Sequence, residues 1–589
     1  MRVSRLLKFL LIQSVLLAFC MQKSGFARST KPANTEMKGR AYHLIKQAGR
    51  TLCTVDHGHI IRNVKIIPLT VYAQDLPFFH LLNHVHITTR IRVIERELRF
   101  KVGDQYQAEA ILETERNLRR IPVIATARIF TLSSKKVDTA TQQRCGQDVD
   151  VWVITEDLWS LRLEIAFEQS GKTLNALQLK LVERNVLGLR QSLALNTTLS
   201  PFVMTSGLSF SDGRFGPDLA ASVATSLTWN RQKGVNEGQG VAMSLSRPLY
   251  HLDQPWSFGS EGSWQNRVVR LTQGDQVRVD DDPSTAMVEA VPLQWNLTQV
   301  QLGVGATRQW SGAWQRRLTF GLSLTQRRQT LAETLTPSHA VRIRTEFMPP
   351  DRFQLGPTIR LHIFERKFTA KMNLDSYGIR EDFRLGWGGQ SIHGITVVGD
   401  QAYTASQQLS WSSLIGKALI SLGIFGGGRL NFGTTFDQGL RDLLVDYSAM
   451  VSRRFSIGRL LMVGRSQFRW RDTINTPVSL GSTTGLRGFI ADAFLVPGGD
   501  LLRTNIEYRS PPASSALARV GLVTFYDGGS VHRNINELNW RHSVGTGIRV
   551  LFPQLNRSVF RLDIGVPIQG EEFTIFISSG SQQAISALP

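Results

Sequence analysis

From residue 159 to about residue 580, apolar and polar side chains alternate with the period of an extended chain. In "LRTNIEYRS", Leu502, Thr504, Ile506 and Tyr508 point one way, while Arg503, Asn505, Glu507 and Arg509 point the other. "RLLMVGRSQFRWR" sets Met462, Gly464, Ser466, Phe468 and Trp470 against Arg465, Gln467, Arg469 and Arg471. "HSVGTGIRVLF" sets Val544, Thr546, Ile548, Val550 and Phe552 against glycines and Arg549. Gly, Asp, Asn, Ser and Pro separate the segments and predict turns. Alternation alone fits a soluble sandwich as well as a membrane barrel. Its extent decides between them: about 420 residues exceed an ordinary sandwich and fit a transmembrane antiparallel β-barrel of about 16 strands. Polar stretches such as "QGDQVRVDDDPSTAMVE" (273–289) then read as extracellular loops.

Residues 58–158 follow a different pattern. "IRNVKIIPLTVYA" is strand-like, and "QAEAILETERNLRR" predicts a helix with Ile111, Leu118 and Ile121 roughly on one face. In "DVDVWVIT", Val149, Val151 and Val153 share one side of a strand, and Asp148, Asp150 and Trp152 share the other. These segments predict a small α/β unit, its sheet half-exposed and backed by helices, suited to binding or docking. Residues 28–57 read as a linker.

At the N-terminus, Arg2, Arg5 and Lys8 precede "FLLIQSVLLAFCM", and the small residues Gly25 and Ala27 follow. This three-part pattern predicts a secretory signal peptide over 1–27. Cys20 stands in "LLAFC", a lipoprotein-like context spoiled by the bulky Phe19. Beyond the signal, no stretch of about 18 apolar residues predicts a spanning helix. Export places the remaining cysteines, Cys53 and Cys145, in an oxidising compartment, where they close one disulfide or stand as two thiols.

Charge narrows the function classes. Lys and Arg number 68 against 47 for Asp and Glu, a net charge of +21. The basic residues are spread along the chain, without zinc-finger spacing or an aromatic-basic RNA signature, so nucleic acid is not an expected partner. An arginine-lined barrel interior accounts for part of the excess. "AFEQSGKT" (166–173) fits a phosphate-loop pattern only loosely: it follows the alternating "LRLEIAF", with no glycine-rich loop or helix start after it, and reads as a hairpin turn. His80, His84 and His86 in "HLLNHVH" lack a neighbouring cysteine or carboxylate cluster and predict no metal site. No Gly-x-Ser-x-Gly nucleophile elbow occurs. Neither an enzyme nor a cofactor is expected.

The candidate site is "TTGLRGFIADAF" (483–494), where a lone arginine sits among apolar residues and glycines. Gly485, Leu486, Arg487, Gly488 and Phe489 form the tip of a long loop. If that loop folds into the barrel, the guanidinium needs carboxylates on the inner wall, and Glu507 and Asp527 lie on charged faces downstream. The other reading is a turn arginine in solvent.

At these residues the chain resembles the outer-membrane assembly and translocation superfamily, the BamA/TamA-like bacterial surface antigen family. The resemblance is carried by "GSTTGLRGF", "NIEYR", "FYDGG" and "GTGIRVLFP" followed by "RLDIGVP", in that order, and by "ERNVLGLRQSLAL" (183–195) for the first barrel strands. "VIERELRFKVGDQY" and "VWVITEDLWS" make residues 58–158 similar to a periplasmic POTRA domain. The resemblance implies an outer-membrane β-barrel of about 16 strands over 159–580 that folds client proteins into or across the membrane. Unfolded outer-membrane or secreted clients, periplasmic chaperones or assembly partners, and outer-membrane lipids are its implied partners. A dedicated secretion pore like FhaC, or a passive channel, is the alternative. A single POTRA-like unit departs from the family's bacterial members and points to an accessory or narrow-client factor. The nine-residue tail "SQQAISALP" (581–589) after "FTIFISSG" departs from the family's terminal aromatic residue.

Overall fold

The computed structural model describes residues 33–578 apart from 56–57, 72–85, 134–142, 171–172, 217, 274–275, 281–290, 332–334, 433–438, 516–517, 556–557 and 569–573. The expected signal segment, His80, His84 and the tail 581–589 lie outside the described residues.

The N-terminal unit contains helices α1 (Ala33–Gln47), α2 (Ile91–Glu95) and α3 (Ala108–Arg120), and strands β1 (Ile60–Leu69), β2 (Ile124–Ser133) and β3 (Asp148–Asp157). β3 lies in the middle of a three-stranded sheet, parallel to β1 and antiparallel to β2. Ile111 and Leu118 of α3, with Ile121, pack on Val149, Val151 and Val153. The sheet is not half-exposed as its alternation suggested. Trp152 and Ile154 of β3 and Leu132 of β2 form a second core with Ala41 and Ile45 of α1. Segment 28–57 therefore is more than a linker: it supplies the helix that covers this face and the short strand Cys53–Thr54. The burial is two-sided because β3 carries large apolar residues on both faces, a central-strand pattern. His86 is buried beside Asp157 (Nε2 to Oδ2, 3.3 Å), which also accepts from the Thr89 backbone N–H at 2.7 Å. Among the described residues no cluster suits a metal ion.

After Trp159 the chain becomes one closed antiparallel barrel. The closed sheet runs through 23 hydrogen-bonded segments, of which Lys367–Met372, Val398–Gly399 and Ala513–Ser514 are short extensions beside longer neighbours. Twenty strands remain among the described residues, running up and down around the barrel, rather than the expected sixteen or so. The physical reason is turn economy. Connections such as 200–202, 416–417 and 456–457 use two or three residues, so the chain length supports more strands than a loop-rich barrel would.

Outward positions carry large apolar side chains, including Leu163, Leu208, Val304, Phe320 and Leu522, each more than half exposed. So broad an apolar outer band is unsuited to water and suited to lipid, where closure leaves no unpaired strand edge. Inward positions carry charges: Glu507, Asp527, Arg549 and Asp563 are fully buried. No helix among the described residues is long and apolar enough to cross a membrane, which says nothing about crossing by strands.

Candidate functional site: a lumen loop, an ion-pair chain and a hairpin across one mouth

Residues 471–499 connect strands Gly458–Trp470 and Asp500–Arg509 at the barrel end far from the α/β unit. The segment does not stay outside. Pro477–Leu480 pairs with Phe494–Pro497 as a small hairpin, and a turn at Ser482–Thr484 leads to Gly485 at φ 104° and Gly488 at φ 98°. Both glycines occupy the left-handed region that side chains disfavour. The backbone of Gly488 also lies against strand Phe560–Pro567: a Cβ built there would stand 3.1 Å from the Gly565 carbonyl carbon. Leu486 and Phe489 anchor the loop in an apolar cluster with Val478, Leu480 and Leu501.

Between these anchors Arg487 is turned into the lumen and buried. Its Nε donates to Asp527 Oδ2 at 2.7 Å, Nη2 to Asp527 Oδ1 at 2.9 Å, and Nη1 to Glu507 Oε2 at 2.7 Å. The guanidinium lies over the Phe525 ring, 3.5 Å from its centroid. Asn505 donates to both Asp527 Oδ1 and the Gly485 carbonyl at 2.7 Å, coupling loop backbone to wall. The structure thus brings Gly485, Leu486, Arg487, Gly488 and Phe489 together with Glu507 and Asp527.

The cluster is larger than those residues. Asp563 comes within 3.5 Å of Arg487 Nη1, and Arg549 bonds Asp563 at 2.5 Å and lies 3.8 Å from Glu507. Glu507 also accepts from Arg509 Nε at 2.8 Å. "GIRVLF" and "RLDIGVP" were legible as motifs, yet alternation says only that Arg549 and Asp563 face inward, not which inward charge they meet. Two contacts reach the barrel's first strand and its last ones: Ser482 donates to Glu168 of Leu161–Ser170, and Gly488 abuts Gly565. The loop therefore bridges the place where the barrel closes. There Thr574–Ser578 pairs with the first strand from Thr574↔Ser170 to Ser578↔Ala166, five positions among the described residues.

At the other mouth, beside the α/β unit, a second element crosses the lumen, and no sequence signal pointed to it. Lys367–Met372 pairs with Arg380–Leu385 as a hairpin. Its tip is built on Glu381, whose carboxylate accepts the backbone N–H groups of Leu374 (2.8 Å), Asp375 (3.1 Å) and Ser376 (3.0 Å). Leu374 and Phe383 pack on Leu419, Met450 and Leu461 of the inner wall, and Tyr377 and Ile379 pack on Leu551 and Val559. Arg509 donates to the Leu374 carbonyl at 2.7 Å and to Asp375 at 3.1 Å, and Arg519 donates to the Tyr377 carbonyl. On its outer side the hairpin meets helix α3. Arg119 donates to both oxygens of Asp382 and to Glu115. Burial disfavours the charge of Arg119, but Asp382 and Glu115 outweigh it and raise its pKa.

Cys53 and Cys145 are joined by a disulfide in the core of the α/β unit, with their Cα atoms 5.1 Å apart. They lie in a different unit from the lumen cluster.

No protein-family model and no curated protein matches the chain. Among solved structures it is similar to CdiB from Acinetobacter baumannii, at 11% identity over 88% of this chain and 73% of that one, with a TM-score of 0.40. CdiB from Escherichia coli gives 12% identity over 88% and 77%, with a TM-score of 0.42. BamA from Haemophilus ducreyi lacking POTRA domains 1–3 gives 13% identity over 88% and 84%, with a TM-score of 0.34. Likeness at such TM-scores adds nothing to what the geometry itself carries.

Proposed function

We propose that the protein is an outer-membrane assembly factor of the BamA/TamA type, with a periplasmic POTRA-like unit over 58–158 that receives unfolded clients and a barrel that inserts them into or passes them across the membrane. The observation that carries this reading is the loop at the closure. Arg487 and its carboxylates hold a loop that touches the first strand through Glu168 and the last strands through Gly565, where the first and last strands pair. The closure joins the first and last strands of the sheet, and once they part their freed N–H and C=O groups are a template for a client strand. Arg487 in this mechanism is a positioning residue: it holds the loop across the closure and touches no client. The reading requires no cofactor and no chemistry, and it places the chain in the bacterial outer membrane with the α/β unit in the periplasm. Clients, periplasmic chaperones and lipids are its partners.

The test is reconstitution of the purified protein in liposomes and the folding rate of small urea-denatured outer-membrane barrels. Acceleration by the wild type that is lost in Arg487→Ala supports the reading. No acceleration together with steady ion conductance would move the assignment to a secretion pore or passive channel.

A further inference from the structure

Three adjacent strands, Trp314–Thr330, Arg352–Glu365 and Arg380–Ile395, form the inner wall next to the crossing hairpin. Outward they carry Phe320, Leu322, Ile359, Leu361 and Trp387. Inward they bring several cations around one ring. The guanidinium of Arg317 lies 5.1 Å from the Phe364 ring centroid and that of Arg384 lies 4.8 Å from it. His362 sits against the same ring at 4.9 Å. Arg360 lies two residues before His362 on the same inward face of strand Arg352–Glu365.

This patch differs from the ion-pair cluster at the lumen loop. Arg487, Arg509 and Arg549 each meet a carboxylate. Among the described residues, no carboxylate lies at ion-pair distance from Arg317, Arg360 or Arg384, and the hydrogen-bond partner of Arg317 is the neutral Gln309, at 2.8 Å. Neighbouring carboxylates are already engaged. Asp382 takes two bonds from Arg119, and Glu113 accepts from the Leu252 backbone N–H. Like charges crowded on one wall repel, and contact with an aromatic face offsets only part of that. A bound anion removes the repulsion and gains charge-assisted hydrogen bonds.

The patch is also elongated. Arg116 of α3 lies over the Phe368 ring at 5.0 Å, so a second arginine-aromatic pair continues the track from the lumen onto the α/β unit. A lone phosphate would use one pair of arginines. A track of alternating cations and rings suits an extended chain that carries carboxylates between apolar groups.

We propose that Arg317 and Arg384 around Phe364, with Arg360 on the same inner wall and continued by Arg116 of α3, bind an acidic segment of unfolded polypeptide entering the barrel from the side of the α/β unit. This names the kind of client segment and rests on the reading that unfolded clients are handled here. Binding is measured separately from folding, so each can fail without the other.

The experiment uses the purified protein in neutral phosphatidylcholine nanodiscs and the fluorescence anisotropy of a labelled peptide of alternating Glu and Ala, with a Gln/Ala peptide as its uncharged counterpart. The Glu/Ala peptide is expected to bind and to be released by salt, while the Gln/Ala peptide does not bind. Arg317→Gln/Arg384→Gln is expected to weaken binding about tenfold, while Arg344→Gln at the far end leaves it unchanged. Both variants keep the inner wall polar, and a folded barrel is verified by its heat-modifiable migration on a gel. Equal affinity in wild type and double variant, or equal binding of the two peptides, overturns the proposal. So does displacement of the peptide by a diphosphorylated glycolipid at lower concentration than unlabelled Glu/Ala peptide requires, which would reassign the site to lipid.

Discussion

Arg119 of α3 donates two hydrogen bonds, at 2.7 and 3.0 Å, to Asp382 of the hairpin that crosses the barrel mouth, from a position 263 residues away in the chain. The hairpin in turn holds Arg509 through Asp375, Arg509 holds Glu507, and Glu507 holds Arg487 of the far loop. Ion pairs on either side of the hairpin therefore join the α/β unit to the loop at the opposite end of the barrel. Arg119→Ala or Asp382→Ala should cost about 1.5–3 kcal/mol at this contact and loosen the hairpin. Single-channel recording in planar bilayers should show raised conductance, and the exchange Arg119→Asp/Asp382→Arg should recover part of the closure. Currents like the wild type in both single variants would show that the contact does not hold the mouth.

Arg487→Ala leaves Asp527 buried without its cation and takes one cation from Glu507, which keeps Arg509. Removing one partner of a buried pair costs about 3–5 kcal/mol. The barrel should lose its compact gel migration at a lower temperature than the wild type. Arg487→Glu should be worse, since it adds a negative charge beside Glu507, Asp527 and Asp563, and combining it with Asp527→Arg should restore some resistance. Unchanged melting in Arg487→Ala would mean that the apolar anchors Leu486 and Phe489 carry the loop unaided.

The closure can be locked. Phe167 and Ile577 are paired in register across it, so Phe167→Cys/Ile577→Cys should form a disulfide under oxidation. The oxidised protein should keep its fold but lose acceleration of client folding, and reductant should restore it. Full acceleration in the oxidised state would mean that clients do not pass through this pairing.

Cys53→Ser/Cys145→Ser should destabilise the α/β unit by about 2–4 kcal/mol, because the cross-link closes a loop with a sequence separation of 92. Limited trypsin digestion of the whole protein should cut this unit faster, with the barrel fragment as persistent as in the wild type. Equal digestion rates would assign the stability of the unit to its two apolar cores instead.

Much of the architecture was legible because β-structure writes itself with a period of two. Leu502, Ile506, Val544 and Ile548 announced one face, and Arg503, Glu507 and Arg549 the other, whatever their partners. Arg487 announced itself through its setting, since an arginine between Leu486 and Gly488 in an apolar loop needs a carboxylate. Other features carry no local signal. Whether Trp152 faced water depended on α1, a helix whose burial is visible only once the sheet exists. The strand number depended on how tightly turns such as 416–417 close.

Alternation assigns side chains to lipid or to the lumen before any fold is known, because it is a property of neighbouring residues. Which lumen charges meet is settled by contacts between distant parts of the chain. Arg119 with Asp382, Arg509 with Asp375 and Arg549 with Asp563 are chosen by barrel closure and by a hairpin folded across the mouth. The arginines around Phe364 are left without carboxylates for the same reason: pairing inside a barrel is set by distances across its lumen, which no spacing along the chain encodes.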